Sequence, residues 1–310
     1  MNDRQLTILF LASSYPRDAT DSASVFLRDL ADHLAQNSVK IHVLVPADGK
    51  ADTSVEGQVT VHRFRYLPSS RQTLAYGSGI LPNLKRTPRL WLHVPLFVMA
   101  MAVKMCQLLT ARRIDVIHAH WLLPQGLIGL IGARLFGVPL VVSAHGSDAF
   151  ALRGRFLDRL KRWIIRRSDR WTANTAATAA AVAREMKLPE PRIIPMGVDF
   201  AFFSRGDRTA LRQAIPDREH VVLFVGRLVE NKGCRDLIEA LSLLPGETRS
   251  RARLWIVGDG DERPGLNRAA RDFGVDARTE FFGAVEHRRL ADFYAAADLV
   301  VVPSKVGSGG

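Results

Sequence analysis

The stretch VGRLVENKGCRD at 225–236 places two cations and two glycines between a buried apolar run and the start of a helix. Gly226 permits a tight turn, Arg227 offers a planar fork to phosphate oxygens, and Lys232 supplies a mobile point charge. Gly233 leaves room at a helix start, whose free N–H groups favour anions. The set fits a diphosphate clamp, and it also fits a surface loop with two solvated cations. His145, followed by Gly146, Ser147 and Asp148, closes an apolar strand, where a histidine either faces a ligand or is a satisfied loop residue. His118 and His120 form an H-x-H pair that could bind zinc from one strand face, but no carboxylate-rich set of further ligands follows. Asp259-Gly260-Asp261 has the spacing of a metal-binding Asp-x-Asp, in what reads as a tight turn after LWIV. Trp121 and Gln125 either line a pocket or pack in the core.

These groups need strands to carry them. Short β-rich runs recur at 7–12, 41–46, 59–65, 115–120, 139–145 and 192–195. Stretches of helical period separate most of them, such as VFLRDLADHL, where Phe26, Leu30 and Leu34 fall on one face. Continuous apolar strands alternating with helices predict a parallel sheet covered on both sides, a Rossmann-like layer. After residue 198 the alternation restarts with HVVLFVGR, RLWIVGDGDE, TEFFGAV and DLVVVPS, which predicts a second α/β layer of four strands. Two domains follow, 1–198 and 199–310. In such sheets ligands bind beyond the carboxyl ends of the strands, where the loops above lie.

Composition narrows the partner. The chain has 310 residues, 47% apolar and 8% aromatic, enough for two packed cores. Its formal charge of +12 points to an anionic partner: nucleic acid, a membrane surface or a phosphorylated substrate. The two cysteines, Cys106 and Cys234, stand far apart, so neither a disulfide framework nor a structural zinc site is indicated and a reducing cytosol fits. The opening MNDRQLTILFLASSYP leads directly into a strand-and-helix pattern and reads as the first strand, not a signal peptide. Nucleic acid fits poorly, because no helix-turn-helix, zinc-finger or RNA-recognition signature accompanies the charge.

The order GR-L-x-x-x-KG, IVGDGDE and FFGAVEHRRLADFYAAADLVVVPS resembles the second domain of the retaining glycosyltransferases of family 4. The first half agrees through SSYPRDATDSASVFLRDLADHLAQNSVKIHVLVP, DVIHAHWLLPQG, VVSAHGSDAF and IIPMGVD, in the family's order. The resemblance implies the GT-B fold, two facing Rossmann-like domains, and transfer of a sugar from a nucleotide-diphosphate donor. By it, Arg227 and Lys232 hold the donor diphosphate beside Gly226, and the backbone around Gly283 and Val285 meets the base. His145 positions the transferring sugar, and Ser14, His120, Trp121 and Asp148 lie on the acceptor side of the cleft. Family likeness assigns the DGD to a turn, so no metal cofactor is expected and the nucleotide sugar is a co-substrate. The family's paired glutamates, eight positions apart, would follow the PS of the last strand, and the sequence stops before them. That reads as a second domain cut short, poor in transfer by itself. Ala23-Ser24 stands where the family often has a glycine-rich loop, and Met196 where it commonly has Asn.

Two further stretches bear on location. RGRFLDRLKRWIIRRSDR at 153–170 reads as an amphipathic helix, with Phe156, Leu160, Trp163 and Ile164 on one face and Arg155, Arg159, Arg162 and Arg166 on another. It is either a cationic surface helix or an attachment to anionic lipid headgroups. LWLHVPLFVMAMAV at 90–103 is too short to span a bilayer, and is either a buried or an interfacial helix. The expectation is a cytoplasmic enzyme, peripheral on the inner membrane face, that glycosylates a glycan or lipid-linked acceptor in cell-envelope or exopolysaccharide synthesis. A non-catalytic membrane-docking or sugar-nucleotide-binding module and an epimerase-like enzyme of the same fold are the alternatives. Donor sugar, base, acceptor and oligomeric state are not legible.

Overall fold

The computed structural model describes residues 5–18, 21, 24–47, 52–77, 79–183, 188–213 and 215–305. Ala23 and the glycine-rich ending at 306–310 lie outside the described residues. The chain divides into two compact units, one of residues 1–17 and 22–197, the other of 198–310 together with 18–21.

In the first unit, eight strands form one sheet: β1 (Thr7–Leu11), β2 (Lys40–Pro46), β3 (Thr53–Glu56), β4 (Val59–Phe64), β5 (Val116–His120), β6 (Leu140–Ala144), β7 (Arg170–Ala173) and β8 (Arg192–Ile193). Their order is β3-β4-β2-β1-β5-β6-β7-β8, and every pair is parallel except β3 with β4. Both faces are covered, as the apolar strands require. Leu27, Ala31 and Ala35 of the Val25–Gln36 helix seal one face against Phe10, Ile41 and Val43. The other is closed by Phe97, Met101 and Met105 of the His93–Ala111 helix, Ile128 and Leu130 of the Leu127–Phe136 helix, and Ile164 and Ile165 of the Arg155–Arg167 helix. Between β1 and β5 the winding reverses direction, so the loops leaving these strands open a crevice at the carboxyl edge.

The second unit has four parallel strands, β9 (His220–Val225), β10 (Ala252–Val257), β11 (Thr279–Gly283) and β12 (Leu299–Val300), ordered β11-β10-β9-β12. Its two faces carry separate cores, one with Ile238, Leu254 and Leu266 and the other with Trp255 and Phe293. Here the reversal falls between β9 and β12, which puts the 226–233 loop at the switch point.

Three helix readings need correction. The buried side of Val25–Gln36 is Leu27, Ala31 and Ala35, while Leu30 is exposed and Phe26 and Leu34 are only half-buried. Small alanines let the helix approach the sheet closely, and a pattern that counts only large apolar residues selects the wrong arc. On Arg155–Arg167, Ile164 and Ile165 point inward, but Phe156 and Trp163 are exposed beside Arg159 and Arg166. The stretch at 90–103 belongs to a longer helical run, Pro88–Ala111, which by length and composition is apolar enough to cross a membrane. Phe97, Met101, Met105 and Leu108 bury one side of it in the core, and Leu92, Leu96, Met99 and Val103 form an exposed stripe on another.

Candidate functional site

Two constellations stand at the carboxyl edges of the two sheets. The first gathers His120, Trp121, His145 and Asp148. Strands β5 and β6 run in register, with His118 beside Val141 and His120 beside Ser143, so the loops leaving them emerge side by side. His120 Nδ1 and His145 Nε2 lie 3.0 Å apart in a ring-to-ring hydrogen bond, with the rings stacked at a 19° interplanar angle. Below them His118 Nε2 meets Ser143 Oγ at 2.7 Å, and Ser143 Oγ meets Thr172 Oγ1 at 2.7 Å. Burial holds all three imidazoles neutral at ordinary pH. It pushes His145 down to about 4 and His120 well below the usual range, and His118, which also feels His145, falls to about 3.

Asp148 is nearly inaccessible and serves the loops. Its Oδ2 accepts the Leu122 N–H and its Oδ1 the His145 N–H, both at 3.0 Å, so one carboxylate ties the turn after β5 to the turn after β6. Burial raises its pKa, and these two backbone bonds oppose the rise. Trp121 occupies the left-handed backbone region with φ 77°, a costly choice for a bulky residue at a strand end. Its ring packs into the core beside β1 and contacts Phe26 and His145, so it is a packing residue that also walls the histidine. Ser14, on the loop after β1, bonds through Oγ to Ser24 Oγ at 2.7 Å at the start of the Val25–Gln36 helix. Phe26 of that helix touches His145 with ring centroids 5.1 Å apart, and so brings Ser14's segment to the same edge. Gln125 is fully buried in the turn that follows.

Lys161 was not singled out by its charge pattern, yet it lies beneath this site. It is 2% exposed, donates to the carbonyls of Asp148 at 2.9 Å and Leu152 at 2.6 Å, and pairs with Asp158 at 2.8 Å. A signal was present: Lys161 precedes Ile164 and Ile165 by three and four positions, on the inward arc of its helix.

In the second unit, main-chain bonds stitch the loops after β9, β10 and β11. Gly226 N donates to Val257 O, Leu228 N to Asp259 O, Glu262 N to Leu228 O and Gly258 N to Gly283 O, all within 2.8–3.0 Å. The tight approach falls on Gly258, with φ 135°, where a Cβ would overlap the Gly226 carbonyl oxygen. Gly226 itself lies outside the left-handed region and needs no special turn, which corrects its expected role. Gly233 has φ 67° and begins the Cys234–Ser242 helix, and a Cβ there would overlap the Pro303 carbonyl oxygen. Thus the chain leaving β12 lies against the loop leaving β9, and Lys305 fastens it by donating to Asn231 O and pairing with Asp236 at 2.8 Å. Arg227 is exposed on this framework and Lys232 half-buried. Gly283 and Val285 sit on the adjoining turn, Val285 packed against the Trp255 core.

The Asp259-Gly260-Asp261 segment is built as a turn. Asp259 Oδ1 accepts its neighbour's Gly260 N–H at 2.8 Å, Oδ2 faces Arg263 at 3.6 Å, and a Cβ on Gly260 would overlap Leu228 O. Among the described residues no group of three or more His, Cys, Asp or Glu is arranged to hold a metal ion.

Known proteins share this architecture. The family profile "Glycosyltransferase Family 4" matches residues 23–202, and "Glycosyl transferases group 1" matches 207–310. A D-inositol 3-phosphate glycosyltransferase of Xylanimonas cellulosilytica is 33% identical over 61% of this chain and 50% of its own length. The chain spans about half the length of such curated relatives. Sucrose-phosphate synthase from Thermosynechococcus elongatus superposes with a TM-score of 0.76 at 20% identity, over 99% of this chain and 77% of its own. Anabaena HepE in complex with UDP and glucose gives 0.68 at 22% identity, over 97% and 74%. These likenesses establish the GT-B fold class, with its two Rossmann-like units. Because the first profile alone covers more than half of the sequence, the chain belongs to Glycosyltransferase Family 4.

Proposed function

We propose that the protein transfers a sugar, with retention, from a nucleotide-diphosphate sugar to a glycan or lipid-linked acceptor. One observation carries the reading: at the switch point of the second sheet, loops locked by main-chain bonds present Arg227 and Lys232 beside the start of the Cys234–Ser242 helix. When the glycosidic bond breaks, its electron pair stays on the departing diphosphate and the sugar gains oxocarbenium character. Fixed cations therefore act most strongly in the transition state. In this reading His145 meets the transferring sugar, Ser14, His120, Trp121 and Asp148 form the acceptor side, and Gly283 and Val285 border the base. The diphosphate charge is balanced by Arg227, Lys232 and backbone N–H groups, with no metal called for. UDP in the HepE complex supports a uridine nucleotide donor.

Envelope or exopolysaccharide synthesis at the cytoplasmic face of the inner membrane completes the reading. Exposed Phe156 and Trp163 alternate with exposed Arg155, Arg159, Arg166 and Arg167, a pattern suited to anionic lipid. The exposed stripe of Leu92, Leu96, Met99 and Val103 adds apolar area, with exposed Arg86 and Arg89 before it and Arg112 and Arg113 after.

The test is turnover. Arg227→Ala and Lys232→Ala should each lower the release of UDP coupled to a new glycosidic bond by roughly a hundredfold. Melting should stay unchanged, and EDTA should leave wild-type transfer intact. Wild-type rates in both variants would refute the site, and saturable nucleotide binding without transfer would indicate a binding module.

A further inference from the structure

The His93–Ala111, Leu127–Phe136 and Arg155–Arg167 helices cover the same face of the first sheet, and their outer sides form one wall. Gly132 lets the first two approach closely, since a Cβ there would come within 2.7 Å of Met105 Cε. Arg134 of the second donates to the Arg167 carbonyl of the third at 3.4 Å. Leu92, Leu96, Met99 and Val103 follow at spacings of four, three and four residues, a single exposed stripe along the first helix. Ile131, Leu135 and Phe136 are exposed on the second, and Phe156 and Trp163 on the third. The middle helix therefore joins two apolar strips into one surface.

Charge on this wall has one sign. Residues 85–170 carry fifteen Lys and Arg against four Asp, nearly all of the chain's excess of +12. The four carboxylates are engaged within the unit. Asp148 is buried, Asp158 pairs with Lys161, and Asp115 and Asp169 accept the N–H groups of Thr7 and Leu140 at the amino edge of the sheet. Arg86, Arg89, Arg134, Arg159 and Arg166 are exposed around the apolar strips. A second copy of the chain would set the same cations against each other. Nucleic acid would satisfy the arginines and leave the exposed leucines, isoleucine and methionine unmatched. An anionic bilayer suits both sets, with headgroups for the cations and acyl chains for the apolar side chains. The Pro88–Ala111 run lies along such a surface and not across it, because Phe97, Met101, Met105 and Leu108 are packed in the core of the unit.

We propose that the three-helix wall is a platform that lies flat on an anionic membrane and holds the carboxyl edge of the first sheet one helix thickness, about 10 Å, from the headgroups. Orientation follows from the winding. Each of these helices leads from one parallel strand to the next, so it starts at the carboxyl edge and ends at the amino edge. Trp91 and Leu92 precede the first helix and Phe156 opens the third, and Leu92 and Phe156, at 76% and 75%, are the most exposed large apolar side chains of the wall. Insertion is thus strongest at the rim where the loops of His120 and His145 emerge. A hydroxyl carried on a lipid headgroup reaches that rim by moving in the membrane plane, so the acceptor class that fits is membrane-anchored. The acceptor clause rests on the transfer reading; docking does not depend on turnover.

Two natural reporters lie on the wall. Trp91 and Trp163 are exposed, whereas Trp171 and Trp255 are buried and Trp121 is packed in the core. The experiment reads tryptophan fluorescence of the intact chain with vesicles of phosphatidylcholine, alone or mixed with phosphatidylglycerol, carrying brominated acyl chains as quencher. Trp91→Phe and Trp163→Phe isolate each reporter, and Leu135→Trp in the protein lacking both reports the middle helix. All three positions should be quenched in the anionic vesicles only, Trp91 most strongly, and salt should reverse the effect. Leu92→Ser combined with Phe156→Ser should weaken vesicle binding about tenfold or more without lowering the melting temperature. Quenching of Trp163 alone would reduce the platform to one cationic helix and overturn the proposal. So would quenching at none of the three, equal quenching in uncharged vesicles, or a dimer in solution that shields both tryptophans. For the acceptor, label from UDP-glucose should enter the lipid-extractable fraction of added cell membranes, less in the double variant, with UDP affinity unchanged. Label confined to water-soluble product would overturn the acceptor clause, and no transfer at all would remove the transfer reading while the docking result stands.

Discussion

Replacing Lys161 with methionine tests the support beneath the first-unit site. The side chain is 2% exposed, and its ammonium donates to two carbonyl oxygens and pairs with Asp158, itself 13% exposed. Methionine fills nearly the same volume, so the packing loss is small and the effect is electrostatic. It removes the Lys161 ammonium from the Asp158 carboxylate and leaves the Asp148 and Leu152 carbonyls without this donor. Breaking a buried pair from one side costs about 3–5 kcal/mol. For a unit of this size that corresponds to a fall in melting temperature of about 6–20 °C. Calorimetry and urea titration of wild type, Lys161→Met, Asp158→Leu and the double variant give the cycle. Each single variant should be destabilised, and the double variant should recover much of the loss, because neither half of the pair then remains buried without the other. A loss below about 1 kcal/mol in Lys161→Met, or a double variant as weak as the sum of the singles, would show that the buried pair does not hold the site's floor.

Acid should destabilise the fold earlier than its carboxylates would. Burial lowers His42 and His62 to about 4 and pushes His118, His120 and His145 down as well, so the unfolded chain takes up protons near 6.5 that the native protein refuses. Stability is therefore full above about pH 6.5 and is lost as pH falls toward 4, by about 3 kcal/mol for His42 alone; a urea midpoint that is flat from pH 7 to 4.5 would contradict this. Gly258→Ala, which forces a Cβ against the Gly226 carbonyl at φ 135°, should cost about 3 kcal/mol or more and abolish UDP binding measured calorimetrically. Gly57→Ala, at φ 62° with open space around it, should cost only about 1 kcal/mol. Co-sedimentation with vesicles should require anionic lipid, weaken with salt and drop when Phe156 and Trp163 are both changed to Ser; equal binding to neutral vesicles would reject the charge argument.

Much of the fold was legible because buried parallel strands are written as apolar runs. β1, β2, β4, β5, β6, β9 and β10 all announce themselves this way. β3 and β7 do not: TSVE is mostly polar and RWTA half polar, four residues each, and they become strands because a neighbouring edge is available to pair with. Strand-end positions for His120, His145, Arg227 and Lys232 followed from the same runs. What the sequence concealed is reciprocal contact. Nothing in local spacing says that His120 bonds to His145, that Asp148 fastens two turns at once, or that Lys161 lies under them. Gly226 and Gly258 show the limit from the other side. Both were visible as loop glycines, but which of the two must be glycine depends on a backbone 32 positions away.

The stitching of the second-unit loops bears on how such a protein can change over generations. Gly226, Leu228, Gly258 and Glu262 hold their neighbours through peptide groups, which survive most amino-acid exchanges. Only Gly233, Gly258 and Gly260, where a Cβ would run into a backbone carbonyl oxygen, are closed to drift. Side chains on the outer surface of the cradle, such as Glu230 and Ala284, can be replaced while the peptide framework that presents Arg227 and Lys232 keeps its shape. Selectivity for what is bound can then diverge between descendants without rebuilding the part that grips it, whereas inserting or deleting one residue in any of these loops would break several main-chain hydrogen bonds of the stitch at once.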